Sequence, residues 1–310
     1  MLAVLCLSAT SSVAAVVPTV PVGTAGQRMP MISLGTGSGQ HGDVENATAM
    51  WLQCGASGID TAYIYHDQDQ VGAGVKAVGA SWDSIFLTTK IPCSSKLKAK
   101  ANIASDLKQL GVATVDLILI HEPHPWPGQG RCDIAGTWAA LEEAQAKGQV
   151  KSIGVSNFKA SDLKKLAQTA TVAPALNQCS HSVSLHDDET AAYCDAQGIV
   201  YMSYSPLCGG SNGSSCKAGS VLKIPLVQQI AKAHGVSAAQ VGLKWVVQQG
   251  RPLATAVWRK DYMLEDIDLW SWGDLTPQEM KALTEYAGAD AGSASAATPV
   301  AVAATVVEAR

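Results

Sequence analysis

The stretch VDLILIHEPHP, residues 115–125, decides the fold. From Val115 to Ile120 it is short, apolar apart from Asp116 and rich in branched side chains, the pattern of a strand buried on both faces. His121 closes the run, and a polar residue at the C-terminal edge of such a strand is unusual. The same pattern stands upstream, where IFLTTK (85–90) closes on Lys90 and GIDTAYIYHD (58–67) carries Asp60 and Tyr65 at a third strand end. Such runs recur about every thirty residues and alternate with helical patterns, the period of a βαβ unit in a parallel sheet. If that sheet closes into a barrel, all strand C-termini share one face. An acid, a phenol, an amine and an imidazole then converge there as a proton-transfer site.

Outward from this stretch the alternation continues. Strand-like Met31 to Gly35 precedes helix-like Val44 to Cys54, and Gly58 to Thr61 precedes Val71 to Val78. Ile85 to Thr88 is followed by Ala99 to Leu110, and Val115 to Ile120 by Ile134 to Ala146, with Gly111 and Gly148 at the expected helix C-caps. The fifth strand, Val150 to Val155, leads to Ser161 to Gln168, with Ser161 as the N-cap. A sixth, Ala175 to Gln178, leads to Glu189 to Ala196; a seventh, Val200 to Tyr204, leads to Val221 to His234; an eighth is Ala254 to Val257. Val241 to Gln248 reads as an additional helix, and Thr276-Pro277-Gln278-Glu279 as the capped start of a last one. Eight alternations between Val20 and Tyr286 predict one α/β domain, a (β/α)8 TIM barrel over residues 20–286.

Composition permits this fold and excludes some functions. A chain of 310 residues that is 47% hydrophobic can bury a large core, and a net charge of −4 leaves no footprint for nucleic acid. Residues 1–19 and 287–310 read as additions to the barrel. Before Arg28 there is no charged side chain, and Met1 to Ala15 reads either as a secretory signal peptide cleaved near Ala15 or as an apolar extension. The compartment is accordingly cytoplasmic or secretory. Ser and Thr interrupt the apolar run and Pro18 and Pro21 follow it, which argues against a membrane-embedded segment. From Ala287 onward the composition is that of a low-complexity tail. The eight cysteines include no CxxC pair and no zinc-like spacing, so they read as buried thiols, with Cys208 and Cys216 able to close a disulfide across a Gly/Ser loop. Asn46 and Asn212 stand in glycosylation sequons.

Taken together, GIDTAYIYHDQDQVGAGVK, FLTTKIP, VDLILIHEPHP, KSIGVSNF, ALNQ and SYSPL resemble, in order, the motif series of the aldo-keto reductases, over most of residues 25–280. The resemblance implies a barrel that binds a nicotinamide cofactor without a G-x-G-x-x-G strand–helix motif. It also implies an alcohol dehydrogenase (NADP+) type of activity on a small-molecule aldehyde or ketone. By this likeness Tyr65 is the general acid, Lys90 the cation that favours its phenolate, Asp60 the partner of Lys90, and His121 the residue that orients the substrate carbonyl. Ser156, Asn157 and Gln178 match residues that hold the nicotinamide carboxamide, and Tyr204 the aromatic that stacks on the ring. Ser205 and Leu207 belong to the pyrophosphate loop. Arg259 and Lys260 supply two cations where the family grips the 2′-phosphate, which favours NADP(H), with NAD(H) also open. Trp126 offers an apolar wall for the substrate beside Tyr65 and His121. The chain is expected to act as a monomer on a small molecule, with no nucleic-acid partner and no membrane embedding.

Several positions depart from that pattern. Val257-Trp258-Arg259-Lys260 is followed by Tyr262 and Glu265-Asp266, and an acid at Asp266 opposes a phosphate. Gly35-Thr36-Gly37-Ser38 has no aromatic after Gly-Thr, leaving that wall open. Two other functions fit parts of the same chain: a nicotinamide-binding barrel that senses without catalysis, and a metal-dependent hydrolase using Asp60, His121 and His124. His66, His124, His181 and His186 otherwise read as loop or surface residues.

Overall fold

Period-two strands whose inward faces must be filled produce a closed parallel barrel. The computed structural model describes residues 17–23, 26–37, 43–128, 130–209 and 219–286. A hairpin, β1 (Thr19–Val22) and β2 (Gln27–Pro30), comes first. The barrel strands are β3 (Ile32–Gly35), β4 (Gly58–Asp60), β5 (Phe86–Cys93), β6 (Val115–Pro125), β7 (Val150–Ser156), β8 (Leu176–Ser180), β9 (Val200–Tyr204) and β10 (Leu253–Thr255). They run parallel in sequence order, and β10 closes the ring between β3 and β9.

Outside lie α1 (Val44–Gln53), α2 (Gln68–Ala77), α3 (Lys96–Leu110), α4 (Ile134–Ala146), α5 (Ala160–Leu166) and α6 (Asp188–Gln197), followed by α7 (Pro225–His234), α8 (Ala238–Val247), α9 (Lys260–Ile267) and α10 (Pro277–Tyr286). Short polar side chains start several of them. Asp133 accepts from the Gly136 N–H at 2.9 Å and Asp187 from Thr190 N–H at 3.0 Å, each cap contributing about 1 kcal/mol. Left-handed glycines at Gly111, Gly198 and Gly235 end α3, α6 and α7.

Alternation along each strand separates two cores. Ile118, Ile120, Ile153 and Val155 face the helices, and Phe86, Leu117, Leu119, Leu176 and Met202 cluster inside the barrel with Val22 and Met29 of the hairpin. The hairpin therefore plugs the bottom of the barrel. It is fastened there by Gln27, whose Oε1 accepts from Ser152 Oγ at 2.6 Å and whose Nε2 donates to Asp116 Oδ1 at 3.3 Å. Two residues beyond each inner apolar position the same inward face continues upward, so Leu117 and Leu119 lead to His121 and Leu176 leads to Gln178.

Several boundaries differ from expectation. β5 runs on past Thr88 to Cys93 and β6 past Ile120 to Pro125, because the two keep pairing above the ring, with a register shift between Ile91 and Cys93. Lys90 and His121 thus sit within strands rather than at their last residues. Lys159, not Ser161, precedes α5. The single helix expected over Val221 to His234 splits into a turn of 3-10 helix, Val221–Lys223, and α7, since Pro225 is suited to the first position of a new helix. The hairpin and α9 were not foreseen. Cys93 and Cys132, read as thiols, form a disulfide across 39 residues. Met1 to Ala15, the tail from Ala287, Ser38, the Asn212 sequon and the Cys216 half of the expected Cys208–Cys216 bond lie outside the described residues. Among the described residues no helix is long and apolar enough to cross a membrane.

Candidate active site

The upper mouth of the barrel opens into a cleft of about 800 Å³ lined by residues that include Asp60, Tyr65, His121, Trp126, Asn157 and Tyr204. Lys90 lies beneath the lining, paired with Asp60. A smaller exposed hollow of about 160 Å³ between α3 and α4, lined by Lys100, Glu143 and Lys147, gathers no comparable set.

Lys90 and Asp60 are 1% and 3% exposed and form a direct ion pair between β5 and β4. Two buried charges are tolerable only when their remaining valences are met. Lys90 Nζ also donates to Thr61 O at 3.2 Å, and Asp60 Oδ2 accepts from Gln178 Nε2 at 2.7 Å. Both Asp60 oxygens are therefore committed, which removes Asp60 from the metal-ligand set considered for a hydrolase. Burial alone would lower the Lys90 pKa, but the charges of Asp60 and Tyr65 outweigh it, and the ammonium is held above its usual value.

Tyr65 lies not on a strand but at the end of a single 3-10 turn, Tyr63–Tyr65, beyond β4. Its ring centroid is 5.3 Å from Lys90 Nζ and meets the His121 ring edge-on at 5.6 Å. Desolvation pushes the phenol above its ordinary pKa, against the pull of Lys90. His121 is driven down to about 3 by burial and by the Lys90 charge, so its imidazole is neutral; its Nδ1 is buried without a hydrogen-bond partner. Trp126 lies 5.7 Å from the same ring, walling the cleft on that side.

Across the mouth, Asn157 has a left-handed backbone (φ 62°), which lets Nδ2 donate to His121 O at 3.0 Å while Oδ1 accepts from Tyr204 OH at 2.8 Å. Ser156 Oγ donates to Gln178 O at 2.8 Å. Tyr204, Ser205 and Leu207 line the cleft, as does Asp266 with Tyr262 at its far side. Asp266 accepts from Thr255 Oγ1 at 3.0 Å, and burial raises its carboxyl to about 7. Arg259 and Lys260 are exposed and do not line the cleft; Arg259 Nε donates to Asp261 Oδ1 at 3.0 Å, and its guanidinium stacks 4.5 Å from the Tyr262 ring.

Three features escaped the sequence. Gln178, matched to a cofactor contact, is also the brace of Asp60. Gly37 does not leave an open wall: a Cβ there would lie 2.4 Å from the Tyr65 ring, so the backbone itself seats the phenol. His181, expected in a loop or on the surface, does follow β8 in a loop but is 1% exposed and stacks on Trp245 at 4.9 Å. Only Gly37 carried a signal, its small size two residues after Gly35.

Known proteins bear on this geometry directly. The sequence profile of the Aldo/keto reductase family matches residues 31–287. The chain is 32% identical over 281 residues to a D-galacturonate reductase of Hypocrea jecorina, covering 84% of this chain and 88% of that one. It is 34% identical over 253 residues to the glycerol 2-dehydrogenase (NADP(+)) of Saccharomyces cerevisiae, covering 73% and 78%. Among solved structures, a Bombyx mori aldo-keto reductase in complex with NADP superposes with a TM-score of 0.79 at 27% identity over 87% of this chain and 93% of its own. With a closed eightfold barrel, the acid, phenol, amine and imidazole gathered at its mouth, and a profile match across the whole barrel, the chain belongs to the aldo/keto reductase family.

Proposed function

We propose that the protein reduces an aldehyde or ketone to the alcohol, with NADP(H) as the favoured cofactor and Tyr65 as the general acid. The observation that carries this reading is the cluster of Tyr65 with the buried Lys90–Asp60 pair and neutral His121 at a cleft of about 800 Å³. Residues lining it suit a nicotinamide. Tyr204 offers an aromatic face, Asn157 and Ser156 offer amide and hydroxyl groups, and Ser205 and Leu207 continue the same wall. When bound, the reduced cofactor supplies the hydride.

The chain's own residues then handle the proton. A phenol with a raised pKa stays protonated through neutral pH and donates to the carbonyl oxygen as negative charge develops there. The Lys90 ammonium stabilises the phenolate left behind, and Asp60, braced by Gln178, holds that ammonium in place. Neutral His121 can donate a hydrogen bond to the same oxygen without competing for the proton. A positioned acid of this kind contributes about 10²–10⁴ in rate.

Arg259 and Lys260, exposed beside the cleft-lining Trp258 and Tyr262, support a preference for the 2′-phosphate, while the pairing of Arg259 with Asp261 tempers it. The named relatives act on different substrates, so the substrate is not inherited from them. The Cys93–Cys132 bond supports folding in an oxidising compartment. We read the active form as a monomer.

The test mixes the protein with NADPH or NADH and a panel of aldehydes and follows the reduced-cofactor absorbance. Turnover that Tyr65→Phe cuts by about 10²–10⁴ while cofactor binding survives is the expected result. Tight cofactor binding with no turnover on any carbonyl would replace this reading with the sensor. Arg259→Ala should weaken NADPH more than NADH; equal losses would remove the 2′-phosphate assignment.

A further inference from the structure

The cleft carries an uneven set of charges. Among the described residues its lining includes Asp60, Glu122, Glu265 and Asp266 and no lysine or arginine. Asp60 is neutralised by Lys90 beneath it, and burial keeps Asp266 protonated up to about 7, so Glu122 and Glu265 carry the unpaired negative charge of the lining. Glu265 and Asp266 stand on α9, directly after β10, and in the ring order β10 and β6 are four strands apart in either direction. Glu122, the residue after His121 on β6, therefore lines the same cleft from the opposite side of the ring, together with Tyr65, His121 and Trp126.

Its surroundings leave it short of donors. Asn157 Nδ2 reaches Glu122 Oε1 only at 3.5 Å, the limit of a hydrogen bond, because the same amide already donates to His121 O and to Ser156 Oγ. No ion pair engages Glu122 among the described residues. It is half-buried, and burial pushes its carboxyl upward against the opposing charge of His124. A partly desolvated acceptor facing a substrate cleft is satisfied by hydroxyl donors and repels a second carboxylate.

We propose that Glu122 selects the substrate class: neutral carbonyl compounds bearing a hydroxyl group, with carboxylate-bearing carbonyls rejected. This rests on the carbonyl-reductase reading above and adds which carbonyls the site takes. Glu122 acts on the substrate's flanking group, whereas Tyr65, Lys90 and His121 act on its carbonyl.

Two aldehydes of matched shape, para-hydroxymethylbenzaldehyde and para-carboxybenzaldehyde, separate the terms. The native protein should favour the hydroxymethyl compound in kcat/KM by about tenfold or more, equivalent to about 1.4 kcal/mol. In Glu122→Gln the two values should approach within about twofold, chiefly through a lower KM for the carboxy compound, and Glu122→Asp should keep most of the preference. Dinucleotide binding by each variant checks that the site is folded. No preference in the native protein, or a preference that survives Glu122→Gln, overturns the assignment of Glu122 and leaves the reductase reading intact. Failure of the native protein to reduce either aldehyde, or any other in the panel, overturns both.

Discussion

Replacement of Cys132 by Ser should cost the fold about 4 kcal/mol and loosen one wall of the cleft. The magnitude follows from the chain between the two sulfurs. A sequence separation of 39 residues gives a loop-closure entropy of about −13 cal/mol/K, or about 4 kcal/mol at 25 °C. For a urea m-value of about 3 kcal/mol/M, the midpoint should fall by about 1.3 M. The functional part comes from where the bond sits. Cys93 pairs in register with Pro125 at the end of β6 and is bonded to Cys132 seven residues later, so both ends of the intervening loop are anchored on one residue. Trp126 is the first residue of that loop and packs near His121. Cutting the bond should therefore raise KM for aromatic aldehydes several-fold and leave kcat within about twofold, since Lys90 and Asp60 keep their partners. Equilibrium unfolding in urea, followed by tryptophan fluorescence without reductant, measures the first quantity, and steady-state kinetics the second. An unchanged midpoint would refute the entropic reasoning; a loss in kcat at constant KM would show that the bond supports the Lys90 strand rather than the Trp126 wall.

Other consequences follow from single contacts. Gly37→Ala puts a Cβ 2.4 Å from the Tyr65 ring and should lower kcat by about 10²-fold through misplacement of the acid, with dinucleotide affinity nearly unchanged; normal kcat would refute the seating role of Gly37. Asp266→Asn should stabilise the protein more as pH rises. The folded chain keeps the Asp266 proton up to about 7, whereas the unfolded chain releases it near 3.8, so this carboxyl opposes folding increasingly as pH climbs between those values. The gain should be small near pH 4 and up to about 4 kcal/mol near pH 8, and equal urea shifts at both would contradict it. His121 is neutral down to about 3, so the rate of carbonyl reduction should show no inflection between about pH 6 and 7 that depends on this residue. An inflection there that His121→Asn removes would mean the imidazole titrates normally in the working enzyme.

Much of this was legible because its causes are local. Val115 to Ile120 announces a buried strand by its own composition, and the expected helix from Ile134 to Ala146 forms with those bounds because Asp133 caps it and Trp138, Leu141 and Ala144 recur at helical spacing on its buried side. The types of residue at the barrel mouth could likewise be read at the ends of such runs. Tyr65 needed more, since it belongs to a 3-10 turn that no period reveals. The hairpin was hidden because its short strands, TVPV and QRMP, carry prolines and a charge that weaken a strand pattern. The partnership of Cys93 with Cys132 had no spacing to betray it.

Sequence alone determined the alternation of elements and the chemical groups available at their ends, since backbone propensity and periodicity act over a few residues. Tertiary structure alone decided which groups meet. Ring closure brings Gln178 to Asp60 across 118 residues, lays Gly37 on Tyr65, sets Glu122 on the side of the ring opposite α9, and turns Arg259 toward Asp261 rather than into the cleft. Each of those contacts depends on distances that exist only after the barrel has closed, so none is encoded in any short stretch of the chain.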